Sequence, residues 1–347
     1  MCVLLRSLVL LRSSFAFVGF LCLALTIQAA EPAHSPKQLR VGMIGLDTSH
    51  APAFTKLMND PKATGSLAQM RVVAAFPGGS EDIATSRDRV GKFTAQLRDM
   101  DVKIVDSIEA LIGQVDAVLL ESVDGRKHLD QVRPVFEAGL PVFIDKPLGG
   151  DLTDAIAIAQ LGEKHGARWF SSSSLRFSPS IYRFRQGVPE LGKINGAAAW
   201  GPYSFEPTHS DLYWYGVHGA ETLYTAMGTG CETVTCIENG DIIVVGQWSD
   251  GRTGTLRGIA SAKQGYGLVV FGEKQISTDG RYEGYAPLVN QIGDFFLGQP
   301  APVTPAETLE IFTFMKAAEL SKAQGGTPVS VKATFEEYSK LARQNQE

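Results

Sequence analysis

Between residues 39 and 144, short and wholly apolar runs recur at intervals filled by longer amphipathic stretches, and this alternation constrains the fold more than any other feature. Candidate strands fall at 39–45, 70–76, 102–105, 117–121 and 142–144, with helical patterns at 81–97 and 128–138 between them. Repeated strand–helix–strand units of this kind bury their strands on both faces, which gives a parallel sheet. A further helix at 153–165, stopped by Gly166, and a strand at 168–173 close this first half. It reads as a doubly wound, dinucleotide-binding type of domain over 38–175.

Beyond Ile194 the pattern changes to longer strands with no helices between them, at 194–200, 233–238, 241–248, 252–260 and 267–271. Asn239-Gly240 and Asp250-Gly251 are hairpin turn signals, so this second sheet is predicted to be large, open and mostly antiparallel. Helices at 286–297, 305–323 and 335–343 complete a C-terminal α+β domain over 176–347. An antiparallel sheet keeps one face for its core and can offer the other to a second copy of the chain, so a homo-oligomer is expected.

Residues 1–30 stand apart. Arg6 and Arg12 precede an apolar run at 15–27, followed by Gln28-Ala29-Ala30, the arrangement of a secretory signal peptide. This mostly apolar run of about 13 residues falls short of the roughly 20 that span a bilayer, so no stable membrane span is expected in the mature chain. Export to a bacterial periplasm is the expectation. Removing this segment takes two arginines from 32 basic residues, leaving 30 against 37 acidic ones, or −7. No basic block remains to grip a phosphate backbone, which argues against nucleic acid as partner. Of the four cysteines, Cys231 and Cys236 survive processing; an exported chain permits them to pair, and two buried thiols fit equally well.

The run Val142-Phe143-Ile144-Asp145-Lys146-Pro147 ends a buried strand with an acid, an ammonium and a proline, at the sheet edge where open α/β folds place ligands. This stretch, together with Arg40-Val41-Gly42-Met43-Ile44-Gly45, His128, Arg176-Phe177-Ser178-Pro179, Leu191-Gly192-Lys193-Ile194 and Gly216-Val217-His218, resembles the Gfo/Idh/MocA family of sugar and polyol dehydrogenases. The resemblance runs over essentially the whole mature length. It implies NAD or NADP as cofactor and a sugar or cyclic polyol as substrate. It also implies that Lys146 orients the reacting hydroxyl, often across a cis Lys-Pro bond, and that His218 is the general acid/base.

Several positions depart from that pattern. In a GxGxxG turn the second glycine lets the backbone approach the pyrophosphate and the third lets helix and strand pack. Here those positions hold Asp47 and His50. An aspartate there can cap the following helix and occupy the anion site itself. The second strand runs into Phe76-Pro77-Gly78-Gly79-Ser80 instead of ending on a ribose-reading acid, with Glu81 and Asp82 as substitutes. Trp214 stands where the family commonly has an aspartate four residues before its histidine, while Glu221 matches the acid three residues after it.

The candidate sites follow. Lys146, His218, Asp145 and Glu221 are the catalytic candidates, and Gly42, Gly45, Asp47, Ser49, His50, Glu121, Ser122 and Lys146 would border the cofactor. Arg176, His128, Trp214 and Tyr215 would meet the substrate, with His209 and Glu206 in a neighbouring loop. Asp47, His50, Glu121 and Asp145 all fall at strand ends, where carboxylates plus an imidazole could hold a divalent cation. A hydrogen-bonded network of caps explains them as well, and no metal set is fixed. The expected activity is an NAD(P)-dependent oxidoreductase acting on a sugar or cyclic polyol. A non-redox lyase or hydrolase on the same scaffold, or a sugar-binding protein, are its alternatives.

Overall fold

A parallel sheet in the order β3-β2-β1-β4-β5-β6 carries the first half of the chain in the computed structural model, which describes residues 38–344. The signal-peptide reading at 1–30 lies outside these residues. The strands are β1 (Leu39–Ile44), β2 (Met70–Phe76), β3 (Lys103–Ile104), β4 (Ala117–Leu120), β5 (Val142–Ile144) and β6 (Trp169–Ser171), and all five pairings are parallel. The order reverses between β1 and β4, and the crevice above that point is where the carboxyl ends of the strands gather ligand-binding side chains.

The second sheet has seven strands: β7 (Ile194–Pro202), β8 (Cys231–Asn239), β9 (Asp241–Trp248), β10 (Thr253–Ile259), β11 (Gly267–Gly272), β12 (Ile276–Asp279) and β13 (Val329–Ser330). Its order is β12-β11-β7-β10-β9-β8-β13, antiparallel throughout except for β7 with β10. Gly240 and Gly251 both take positive φ, 82° and 85°, in the hairpins that join β8, β9 and β10. Cys231 and Cys236 are both free and buried. They lie five residues apart on the same strand, about 16 Å at the strand rise, and so cannot meet.

Ten helices complete the described chain: α1 (His50–Met58), α2 (Ala84–Asp99), α3 (Ile108–Ile112), α4 (His128–Glu137), α5 (Leu152–Lys164), α6 (Pro179–Gln186), α7 (Val217–Met227), α8 (Ala286–Phe296), α9 (Pro305–Ala323) and α10 (Val331–Gln344). In α1, Ala51, Phe54, Thr55 and Met58 recur at helical spacing and are buried, and Pro52 is tolerated because it falls in the first turn. Every residue of α7 is buried, since it packs against β7, β10 and α9 at once. One hydrophobic cluster runs from Ile44 and Val118 through Leu175 to Leu223 and Phe314, so the expected division at 175/176, inside a short 3-10 turn at Ser174–Phe177, is crossed by continuous packing. No helix among the described residues is long and apolar enough to cross a membrane.

Candidate functional site

Lys146 is the second residue after β5, following Asp145, and its bond to Pro147 is cis. Together with Thr48, Ser49, His50, Trp214, Tyr215 and His218 it lines a cavity of about 190 Å³. The Lys146 Nζ lies 5.5 Å from the Tyr215 ring centroid, and that ring lies 5.5 Å from the His218 ring. An ammonium and an imidazole from distant parts of the chain therefore face one shared space. Tyr266, Tyr282 and Tyr285 complete its wall from loops of the second half. These tyrosines carry no mark in the sequence, because loops on either side of short strands give no periodic signal. Only the adjacency of Tyr282, Gly284 and Tyr285 could have drawn attention.

His218 is held through Nδ1, which lies 2.7 Å from the Ser173 hydroxyl, leaving Nε2 for the cavity. The Ser173 oxygen also accepts the Leu175 N–H. Its hydroxyl can either donate to Nδ1 or accept from it, so both neutral tautomers of His218 are served. Burial pushes the His218 pKa well below its ordinary value, with the positive fields of Lys146 and His50 acting the same way. The ring is thus neutral at pH 7 and ready to take a proton. Burial also lowers Lys146, while Asp145 and Glu121 pull it back up.

Beneath this pair sits a compact ionisable cluster. His50 Nδ1 is 2.6 Å from Asp145 Oδ2 and 3.8 Å from Glu121 Oε2. Asp145 also accepts the Lys146 backbone N–H at 2.8 Å. Burial works to raise Asp145, but His50 and Lys146 outweigh it and hold the carboxyl below its usual range. Glu121 is driven well upward, first by burial and then by Asp145.

The other sequence candidates lie elsewhere. Asp47 neither caps α1 nor joins His50: Ser49 is the cap position, and Asp47 accepts hydrogen bonds from the Val123 N–H and the Ser86 hydroxyl at 3.0 and 2.6 Å. Gly42 packs against Leu111 on α3 and Val115 just after it, away from the cavity. Gly45 needs its hydrogen side chain, because a Cβ there would lie 2.3 Å from the Ser122 nitrogen. Ser122 is buried in that contact. His128 is fully buried, with both ring nitrogens bonded to the backbone carbonyls of Ser122 and Leu148, so it does not meet a substrate. Arg176 and Glu221 form a buried ion pair with each other and turn away from the cavity. His209 accepts the Gly125 N–H through Nε2 and lies against Trp214.

Three imidazoles, His128, His209 and His218, have folded pKa values below the ordinary one, each chiefly through burial, and His209 is pushed down to about 4. An unfolded chain then binds more protons than the native one as acid is added. The stability these groups contribute is complete above about pH 6.5 and is lost as pH falls through their folded values. For His209 alone this is roughly 3 kcal/mol. A melting temperature that drops steeply between about pH 6.5 and 4, and less steeply in His209→Asn, is the expected result. A flat profile over that window would refute it.

Dinucleotides bind across the crevice above β1 and β4, and their diphosphate takes the backbone N–H groups around the first turn. In this chain the Asp47 carboxylate is fully buried there and already accepts the Val123 N–H. Ser86, at the start of α2, closes over it, and Ser80 links Ser86 to Asp124. Asp82, a possible ribose reader, is paired with Arg126 at 2.9 Å. A second anion beside Asp47 meets repulsion of several kcal/mol at intermediate dielectric. These residues do not fit a dinucleotide seated in the usual way.

The fold and crevice define a Rossmann-type domain joined to an antiparallel-sheet domain. Residues 39–173 match the model of the Gfo/Idh/MocA oxidoreductase family, described as an NAD-binding Rossmann fold, so the likeness to that family covers the first half of the described chain. An inositol 2-dehydrogenase of Corynebacterium glutamicum is 29% identical over 163 residues, which is 46% of this chain and 44% of that protein. The match thus spans less than half the length of this curated relative. The solved scyllo-inositol dehydrogenase of Lactobacillus casei, with bound NAD(H) and scyllo-inositol, superposes with a TM-score of 0.68 at 14% identity, covering 85% of this chain and 100% of that one. GenD2 from gentamicin A biosynthesis, in complex with NAD, gives 0.67 at 15% identity over 87% and 98%. At such identities the likeness is one of fold.

Proposed function

We propose that the cavity takes a sugar or cyclic polyol and that Lys146 and His218 move a proton at one of its ring positions. The observation that carries this is their convergence on one cavity of about 190 Å³, below the roughly 300–1,000 Å³ of drug-sized ligand sites. Tyr215 and Tyr266 lie edge-on to His218, and aromatic faces of this kind suit the apolar face of a sugar ring. Neutral His218 accepts the proton through Nε2 while Ser173 stabilises the ring at Nδ1, and the Lys146 ammonium holds the developing oxyanion.

Two chemistries begin with that step. In the family's own, an alcohol is oxidised and NAD or NADP takes the hydride. In the second, a non-redox lyase reaction on a sugar that carries a carbonyl, the proton leaves the ring carbon beside that carbonyl, the electron pair passes to its oxygen as an enolate held by Lys146, and the hydroxyl or alkoxide on the next carbon departs as water or an alcohol; a hydrolase on the same scaffold would add water instead. The buried Asp47 carboxylate favours the second. Export to the periplasm, proposed from residues 1–30, points the same way, because a secreted enzyme must keep its nicotinamide tightly or work without one. The exposed pairs Ile237 with Ile243 and Phe271 with Ile276, on the open face of the second sheet, would serve a homo-oligomer.

Titrating the protein with NAD and with NADP, followed by thermal shift, separates the chemistries. We expect no saturable shift with either, and a product lighter than its sugar by one water or one alcohol rather than by two hydrogens. A saturable shift with a product two hydrogens lighter would establish the redox reading instead.

A further inference from the structure

We propose that His50, Glu121 and Asp145 form a binding site for one divalent transition-metal cation beneath the cavity floor. Each offers one ligand atom, and these atoms all lie within 4.8 Å of one another in buried surroundings. A second observation concerns Glu121 by itself. It is 0% exposed, and neither of its carboxylate oxygens has a hydrogen-bond partner. Buried carboxylates are almost always satisfied by donors or by a cation, and this one is aimed at His50 and Asp145.

The neighbouring charges support a cation more than an internal counter-ion. Lys146 is the obvious candidate to neutralise the two acids, yet among the described residues no ion pair within 4.0 Å joins its Nζ to either of them. Its ammonium lies over the Tyr215 ring instead. His50 is oriented by stacking on Phe54, with planes 7° apart, and by the edge of Tyr285. Asp145 is oriented by the Lys146 N–H, which bonds the carboxylate oxygen not facing His50. Ligands held by outer contacts in this manner are a feature of built metal sites.

One imidazole nitrogen with two carboxylate oxygens is the donor set of Zn²⁺ or Mn²⁺ rather than of the all-oxygen sites preferred by Mg²⁺ and Ca²⁺. Three protein ligands leave at least one position open. His50 lines the cavity, so that position can be reached by water or by a substrate hydroxyl, whose acidity the cation would raise. The proposal does not rest on the sugar reading, because a chain inert toward every sugar would still bind the metal.

The experiment uses the mature full-length protein, freed of metal by a chelator and then dialysed against Zn²⁺ or Mn²⁺. We expect about one equivalent retained per chain by elemental analysis, a saturable rise in melting temperature, and at least tenfold weaker binding in Glu121→Gln. Co²⁺ added to the wild-type protein should give visible absorption bands of a mixed nitrogen–oxygen site, a readout that needs no variant to fold. Retention below a tenth of an equivalent, with no Co²⁺ bands, would overturn the site and leave a proton shared between Glu121 and Asp145 as its occupant. Equal binding by wild type and folded Glu121→Gln would overturn it too, by placing the cation elsewhere.

Discussion

Replacing His218 by alanine is expected to lower kcat/KM on any accepted sugar or polyol by about 10²- to 10⁴-fold, the usual contribution of a positioned general acid/base. The ring can be removed without unfolding the chain, because its polar contact is confined to Ser173 and α7 is held mainly by Leu223, Tyr224 and Met227 in the core. Ser173→Ala leaves the imidazole in place but frees its tautomer. It should cost less, and it should shift the acid limb of the pH–rate profile, which a purely structural role would not do. Lys146→Ala should also lose activity, and Lys146→Arg should not restore it, since a planar guanidinium cannot replace a compact ammonium over Tyr215. Steady-state kinetics on folded variants decides the matter. Unchanged turnover in both His218→Ala and Lys146→Ala would remove the proposed chemistry.

Much of the fold is legible in the sequence because burial on both faces leaves a continuous apolar record. The runs at 70–76 and 142–144 coincide with β2 and β5, and both hairpin glycines sit where the sequence puts them. Short elements leave too little pattern to read. The two-residue β13, the five-residue α3 and α6, whose start Pro179 reads equally as a turn, emerge only from tertiary packing. Site residues divide along another line. Lys146 and His218, which line one cavity, are marked in the sequence by a strand end and by motifs of the resembled family, and Trp214 and Tyr215 by the aromatic residues that cluster before His218. Partners far apart in sequence left no trace. Nothing in the chain announces that Asp47 turns to Ser86, 39 residues on, or that His128 spends both ring nitrogens on backbone carbonyls.

Arg176 shows the same limit with the largest structural consequence. Read in sequence as a substrate ligand, it is 1% exposed and spans two acids: its Nε donates to Glu221 at 2.5 Å and its Nη1 to Glu307 at 2.8 Å. Glu221 lies on α7 and Glu307 in the first turn of α9, so one guanidinium joins the turn at Ser174–Phe177 to both helices. Arg185 also pairs with Glu307, but Glu221 has no second cation among the described ion pairs. Arg176→Met keeps the volume and strands that carboxylate, for which a loss of about 3–5 kcal/mol is expected. In a chain of this length that amounts to a fall in melting temperature on the order of 10 °C. Adding Glu221→Gln should recover a good part of it, because a neutral amide is far cheaper to bury than an unpaired charge. A substrate-binding arginine would behave in the opposite way: KM would rise several-fold while the melting temperature stayed put, and the second substitution would rescue nothing. Thermal unfolding of the single and double variants, set beside their KM values, discriminates the two roles. Because Glu221 lies three residues from His218 on α7, the destabilised variant should also lose kcat as the imidazole's support loosens.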